Sequence, residues 1–260
     1  MLFVIKVGGN VIDNPALLQS FLSDFAQISG PKILIHGGGK IATRIGDQLG
    51  IESKYVNGRR ITDAATIDVV TMVYGGLVNK QLVAKLQALG CNAIGMTGAD
   101  ANVIPAVKRP VKEIDYGFVG DIDTAKLHVG PLKAMLDAGL TPVFAPLTHD
   151  TQGSMLNTNA DTIASSLAIA LSAHYEVRLI YCFEKKGVLL DAQDDNTVIH
   201  LINREAHALL LEQGVLTEGI LPKLENAFAA IESGVKEVLI GHAADVTSNT
   251  TGNVAGTLIC

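Results

Sequence analysis

Leu2-Phe3-Val4-Ile5-Lys6-Val7-Gly8-Gly9 opens the chain with an apolar run that is broken by one lysine and closed by two glycines. A run this apolar reads as a strand covered on both faces, as in parallel sheets. Lysine is costly in such a place, because an ammonium is almost never fully buried without a partner. The two glycines let the backbone turn tightly and come close to a ligand. A cation beside exposed backbone N–H groups suits a phosphate. The same residues also fit an edge strand whose lysine keeps its head in water, followed by an ordinary turn.

Working outward, short apolar runs alternate with amphipathic ones. Strands are expected at Leu2–Val7, Lys32–His36, Ala93–Met96, Thr141–Ala145, Arg178–Phe183 and Glu237–Ile240. Helices are expected at Lys40–Leu49, Thr66–Leu89 (interrupted by Gly75-Gly76), Pro131–Ala138, Asp161–Ser172, Arg204–Gln213 and Leu221–Ser233. Strands alternating with helices argue for an α/β fold with a mainly parallel sheet and helices on both faces. Residues 103–124 break that rhythm with short pieces and tight turns, and read as a β-hairpin over a site. A soft boundary near 145–175 divides one domain, 1–260, into an N-lobe of about 1–150 and a C-lobe of about 151–260 that share one sheet.

The 260 residues are 48% hydrophobic, enough for a large core. The formal net charge of −6 gives no reason to expect nucleic acid or an anionic membrane as partner, so any anion site must be local. Cys91, Cys182 and Cys260 are scattered and form no metal spacing, which fits reduced thiols and a cytoplasmic home. The sequence shows no cleavage signal, tail or apolar run of membrane length.

Four further motifs carry chemistry. His36-Gly37-Gly38-Gly39 stands between a strand and a helix, where glycine N–H groups and a helix N-terminus point at an anion. It is neither a P-loop nor a G-x-G-x-x-G turn. In Asn57-Gly58-Arg59-Arg60, the guanidinium forks suit a carboxylate, or are simply solvated. Leu156-Asn157-Thr158-Asn159-Ala160-Asp161 precedes an apolar helix. Asn159 or Asp161 could cap it, or Asn157 could contact a ligand while Asp161 orients buried lysines. Lys223 follows Pro222 at a helix start, where the macrodipole disfavours a cation unless an anion is near or the side chain points away. His36 could be a base, or a strand-end histidine bonded to backbone.

In this order, Lys6-x-Gly8-Gly9, His36-Gly37-Gly38-Gly39, Asn57-Gly58-Arg59-Arg60, Asn157-x-Asn159-Ala160-Asp161 and Gly219-x-x-Pro222-Lys223 resemble the amino acid kinase family, above all its N-acetylglutamate kinase branch. Gly95-Met96-Thr97-Gly98-x-Asp100 and Gly117-Phe118-Val119-Gly120 extend the resemblance, which runs from about residue 3 to Gly256-Thr257-Leu258-Ile259. It implies a three-layer αβα sandwich around one mostly parallel sheet. The N-lobe would bind the acylated amino acid and form a homodimer, and the C-lobe would bind ATP. The implied reaction moves the γ-phosphate of ATP, with Mg²⁺ carried by the nucleotide and no metal site on the protein, to the side-chain carboxylate of N-acetyl-L-glutamate in arginine biosynthesis. The same reaction on N-succinyl-L-glutamate, or a non-catalytic amino-acid-binding homologue, are its alternatives.

Carried over residue by residue, Lys6 and Lys223 would stabilise the transferring group and Asp161 would hold both. Gly38, Gly39, Arg60 and Asn157 would contact the amino acid substrate, with Arg60 on its α-carboxylate. Gly8, Gly9, Glu184, Lys186, Gly187 and Thr217 would contact the nucleotide. Glu184-Lys185-Lys186-Gly187 departs from the Asp-Val-x-Gly-like loop usual at that point.

Overall fold

In a computed structural model of the chain, β1 (Leu2–Val7) is buried at every position. The description covers residues 1–260 except Ala192, Thr217, Glu218, Gly219 and Asn253, and omits the side chain of Pro222. A strand buried on both faces needs a pairing partner on each edge. After β1 come α1 (Gly9–Asp13), α2 (Pro15–Gln27), β2 (Lys32–His36), α3 (Gly39–Gln48) and a ribbon of β3 (Tyr55–Val56) and β4 (Arg59–Arg60). α4 (Ala64–Val70) runs through a π-helical segment, Thr71–Val78, into α5 (Asn79–Ala88). β5 (Ala93–Met96), β6 (Ala106–Lys108), β7 (Gly120–Ile122), α6 (Gly130–Asp137) and β8 (Thr141–Phe144) follow, then the hairpin β9 (Leu147–His149) and β10 (Met155–Asn157). The remainder is α7 (Ala160–Ser172), β11 (Val177–Phe183), β12 (Leu201–Ile202), α8 (Arg204–Glu212), α9 (Leu221–Glu232), β13 (Glu237–His242) and β14 (Thr257–Ile259).

The main sheet has the order β12-β14-β13-β11-β1-β2-β8-β5. Its neighbours pair in parallel except β13 with β14. From β1 the chain moves outward through β2 on one side and returns later as β11 on the other. Where strand order reverses in this way, a crevice opens at the carboxyl ends of the strands. β1 and β11 are also where the two halves of the chain meet.

Side chains on a strand alternate between faces, and here they feed two cores. Phe3, Ile5 and Val7 pack with residues of α1 to α5, whereas Leu2 and Val4 pack with residues of α6, α7, α8 and α9. The result is the expected three-layer αβα sandwich. Lys6 has the parity of Leu2 and Val4, so it lies on the α7 side.

Besides several short elements absent from the sequence reading (α1, β3, β4, β9, β10, β12 and β14), three segments differ from it in kind. α2 was not expected, although its signals are present. Asn14 accepts the N–H of Ala16 and Leu17 at 3.1 and 3.2 Å, Pro15 takes the first turn, and Leu18, Phe21, Leu22 and Phe25 are buried at helical spacing. Lys32, buried at the start of β2, donates to the carbonyls of Phe25, Ala26 and Ile28 at 2.9, 3.0 and 2.7 Å and closes that helix. Gly75-Gly76 does not interrupt the long helix but sits in its π-helical segment, where a Cβ on Gly75 would lie 3.4 Å from Leu147. Within the excursion at 103–124 the strands that pair with each other are β6 and β7, and their ladder ends where Arg109 donates its N–H to Val119 O at 2.7 Å, just before Pro110. The residues between them form a loop, pinned by an Arg109–Asp121 ion pair of 2.6 Å and by a bridge between Val119 and Asn157.

Candidate active site

The lysine of β1 finds its partner through strand parity. Asn159 caps α7, its Oδ1 accepting the N–H of Asp161 at 2.8 Å and of Thr162 at 3.1 Å. Asp161 is thereby free of the cap and stands in the first helical turn, which favours a carboxylate. Its Oδ1 lies 2.8 Å from Lys6 Nζ, and Lys6 is only 8% exposed. Lys6 Nζ also stands 5.1 Å from the centre of the Phe183 ring, and Lys223 Nζ stands 3.8 Å from the centre of the same ring. Burial pushes the Lys223 ammonium below its ordinary pKa. Asp161 opposes that shift, Lys6 adds to it, and Glu184 opposes it. The two lysines thus come from opposite halves of the chain and converge on one ring, and the carboxylate that pairs with Lys6 also acts electrostatically on Lys223.

The glycine loops adjoin this pair. Gly8 donates its N–H to Cys182 O and Gly37 donates to Val7 O, each at 3.2 Å, which sets the turns after β1 and β2 side by side. A Cβ on Gly37 would come within 3.3 Å of the Gly9 nitrogen, whereas a Cβ on Gly9 or Gly39 would meet nothing within 4 Å. The loops therefore pack on each other and stay open on the other side. Gly38 has φ 149°, and a Cβ there would lie 3.2 Å from the Tyr74 ring, so this position takes glycine. No side chain caps α3, so its first N–H groups are available to an anion.

Arg59-Arg60 divides its roles by burial. Arg59 is exposed, while Arg60 is 8% exposed and lies 4.8 Å from the Tyr55 ring centre. The Arg60 guanidinium donates to the Gly39 carbonyl and to Thr43 Oγ1, both at 2.9 Å, and to Ser53 Oγ. Arg60 is thus tied directly to the triple-glycine turn. Asn157 Nδ2 donates to Thr62 Oγ1 at 3.0 Å, two residues beyond Arg60, and its backbone N–H donates to Phe118 O at 2.9 Å. Arg60, Asn157 and the loop after β6 are therefore brought to one side of the glycine turns.

A cavity of ≈ 370 Å³ opens on the other side, with Asn10, Glu184 and Lys223 at its polar end and Val188, Val215 and Ile240 among its apolar walls. That size suits a small ligand. Gly187 also lines it, pressed against β14 so closely that a Cβ would lie 2.6 Å from Thr257 Oγ1. Lys186 is exposed and does not line the cavity. Lys185 does, and pairs with Asp195 at 3.0 Å. Thr217 lies outside the described residues, as do Glu218 and Gly219. Phe183, Tyr74, Asn10 and Asn79 escaped the sequence reading. Only the aromatic residue just before Glu184 carried a signal, since a ring at the end of a strand beside a lysine can hold a cation.

His36 is fully buried and is not available as a base. Its Nδ1 lies 2.7 Å from Gly37 O and its Nε2 lies 3.1 Å from Asn79 Nδ2. Burial lowers its pKa from 6.5 to about 4, against a smaller upward pull from the Gly37 hydrogen bond. The unfolded chain binds a proton here in a pH range where the folded chain refuses it. Stability is therefore complete above about pH 6.5 and falls as pH drops towards 4, by on the order of 3 kcal/mol from this residue. Urea midpoints measured from pH 8 to pH 4 should show that decline, and His36→Asn should flatten it.

A profile of the amino acid kinase family matches residues 1–242. The acetylglutamate kinase of Bacteroides thetaiotaomicron is 60% identical over 248 residues, covering 95% of this chain and 96% of its own length. That of Phocaeicola vulgatus is 57% identical over 249 residues, with 96% of each chain covered. Among solved structures, an N-acetylglutamate synthase from Neisseria gonorrhoeae complexed with coenzyme A and N-acetyl-glutamate superposes with a TM-score of 0.81 at 23% identity. All of this chain matches 59% of that one, a likeness of fold. With a family profile over nearly its whole length and relatives of this identity, the chain belongs to the amino acid kinase family.

Proposed function

We propose that the protein transfers the γ-phosphate of ATP to the side-chain carboxylate of N-acetyl-L-glutamate, giving N-acetyl-L-glutamyl 5-phosphate and ADP, in arginine biosynthesis. The observation that carries the chemistry is the convergence of Lys6 and Lys223 on the Phe183 ring, with Asp161 paired to Lys6, beside two open glycine turns. The acyl substrate is supported by the name of the two bacterial relatives, acetylglutamate kinase.

The acceptor carboxylate is already ionised at neutral pH, so no base is needed, consistent with the sequestered His36. A carboxylate oxygen bonds to the γ-phosphorus while the bridging β–γ P–O bond breaks and ADP leaves. The barrier then falls through in-line positioning and through neutralising charge on the equatorial oxygens. Lys6 and Lys223 supply that charge from two sides, and Asp161 keeps Lys6 aimed. Gly8, Gly9, Gly38 and Gly39 offer backbone N–H groups. Among the described residues no three His, Cys, Asp or Glu side chains gather to hold an ion. Mg²⁺ is assigned to the nucleotide, as the reaction class implies, where it would neutralise phosphate charge.

In this reading the part of the chain up to about residue 150 holds the acyl amino acid, with Arg60 on its α-carboxylate and Asn157 as a second contact. The part from about 151 holds ATP in the cavity beside Glu184 and Gly187. Arg60→Lys should raise KM for N-acetyl-L-glutamate at least about tenfold, since an ammonium cannot reproduce the fork that also holds Gly39. An unchanged KM would remove Arg60 from the substrate site. The protein is further assigned to the cytoplasm as a homodimer. No helix among the described residues is long and apolar enough to cross a membrane. Light scattering should give twice the chain mass.

A coupled assay of ADP release tests the substrate. N-acetyl-L-glutamate should support turnover, with N-succinyl-L-glutamate, free glutamate and carbamate well below it. Preference for the succinyl compound would change the acyl group, and turnover with glutamate or carbamate alone would overturn the assignment.

A further inference from the structure

His36 has no direct part in the transfer, yet it is the last residue of β2 and stands immediately before the triple glycine. Its hydrogen bonds fix its state. Asn79 Nδ2 lies 2.9 Å from the Val143 carbonyl, which can only accept, so this end of the amide is the donor. The same Nδ2 faces His36 Nε2, which must then accept, leaving the ring proton on Nδ1. Nδ1–H donates to the Gly37 carbonyl at 2.7 Å. Burial keeps the ring neutral, with its pKa near 4, so this tautomer persists at physiological pH.

The consequence falls on the next peptide. In a trans peptide the C=O and N–H point in opposite directions. With the Gly37 carbonyl held on the His36 ring, the Gly38 N–H points away from the ring and from α5. Among the described residues no backbone or side-chain acceptor takes that N–H. Gly38 also stands directly before the uncapped start of α3, and its φ of 149° is one that glycine adopts because it has no Cβ. We propose that His36, held in one tautomer by Asn79, is a positioning residue that orients the Gly37–Gly38 peptide so that the Gly38 N–H donates to the transferring phosphoryl group. This rests on the phosphoryl-transfer reading above.

Two substitutions separate the ring's two nitrogens. In His36→Asn the amide nitrogen can stand where Nδ1 was and still donate to Gly37. In His36→Gln the longer amide reaches towards Asn79, and the donor to Gly37 is lost. Both remove the ring, so a merely structural role would cost both variants alike. We expect kcat of the Asn variant to exceed that of the Gln variant by at least about tenfold, with KM for ATP similar in both, as for a preorganised donor. Equal kcat values, or a faster Gln variant, would overturn the proposal.

A second readout does not depend on the acyl substrate. In ¹⁵N–¹H spectra of the full chain, the Gly38 amide should shift on addition of the non-hydrolysable ATP analogue AMP-PNP in the wild type and the Asn variant, and much less in the Gln variant. A Gly38 amide that ignores AMP-PNP in the wild type would overturn the proposal. A Gly38 shift in a protein without N-acetylglutamate turnover would support it and refute the substrate assignment instead. Should the Gln variant not fold, Asn79→Ala frees the tautomer without touching Gly37, and a lowered kcat is expected there. Full kcat in that variant would again overturn the proposal.

Discussion

Lys6→Met lowers kcat for N-acetyl-L-glutamate phosphorylation by at least ~10²-fold, the usual cost of losing one preorganised electrostatic donor. Methionine preserves the length and much of the volume of the side chain beside Phe183, so the loss reports the charge rather than the packing. The fold should survive. Asp161 loses its partner at 2.8 Å on an oxygen that is buried, so stability should fall, by on the order of 1–3 kcal/mol, while the partly exposed remainder of the carboxylate keeps the loss short of unfolding. Steady-state kinetics beside a urea titration checks both halves. Near-normal turnover in a folded variant would remove Lys6 from the transition state.

Lys223→Met should cost a similar factor in kcat while leaving stability equal or slightly higher. Its ammonium is disfavoured by burial and by Lys6, as its lowered pKa records, so removing the charge relieves the folded state. Loss of activity together with unchanged or greater stability is the signature of a group kept for chemistry. Because both lysines act on one phosphoryl group, the double variant should lose much less than the product of the single losses. A strictly multiplicative loss would place the two lysines in separate roles.

How much of this was legible in the sequence depended on which physical signal each residue carried. Lys6 was legible because a cation in an apolar strand is costly, and the parity of β1 then decides which helix must answer it. The alternatives for Asn159 and Asp161 were not exclusive. One caps the helix, and that frees the other to meet Lys6. The parallel sheet followed from the continuous apolar runs, but the antiparallel β14 is too short to stand out. α2 is legible, since Asn14, Pro15 and the spacing from Leu18 to Phe25 are ordinary helix signals. The π-helical segment was not legible, because a pattern read at 3.6 residues per turn takes two glycines for a break. Nor could charge alone sort Arg59 from Arg60, or Lys186 from Lys185. Arg60 is buried beside the glycine turn while Arg59 is exposed, and of the two exposed lysines Lys185 borders the cavity, which only the local backbone decides. His36 stands out in sequence as a candidate base, a property its burial removes. Its value lies in which nitrogen carries the proton, and Asn79, 43 residues away in sequence, settles that.

The central claim is that a carboxylate receives the phosphoryl group between the two lysines. An acyl phosphate reacts with hydroxylamine to give a hydroxamate, whereas phosphate on nitrogen or on an alcohol does not. The direct measurement therefore follows ADP and hydroxamate together, with N-acetyl-L-glutamate, ATP, Mg²⁺ and hydroxylamine present. One hydroxamate should appear per ADP in the wild type, and both should fall together in Lys6→Met and Lys223→Met. ADP release without hydroxamate, or hydroxamate formation undiminished in both lysine variants, would contradict the account.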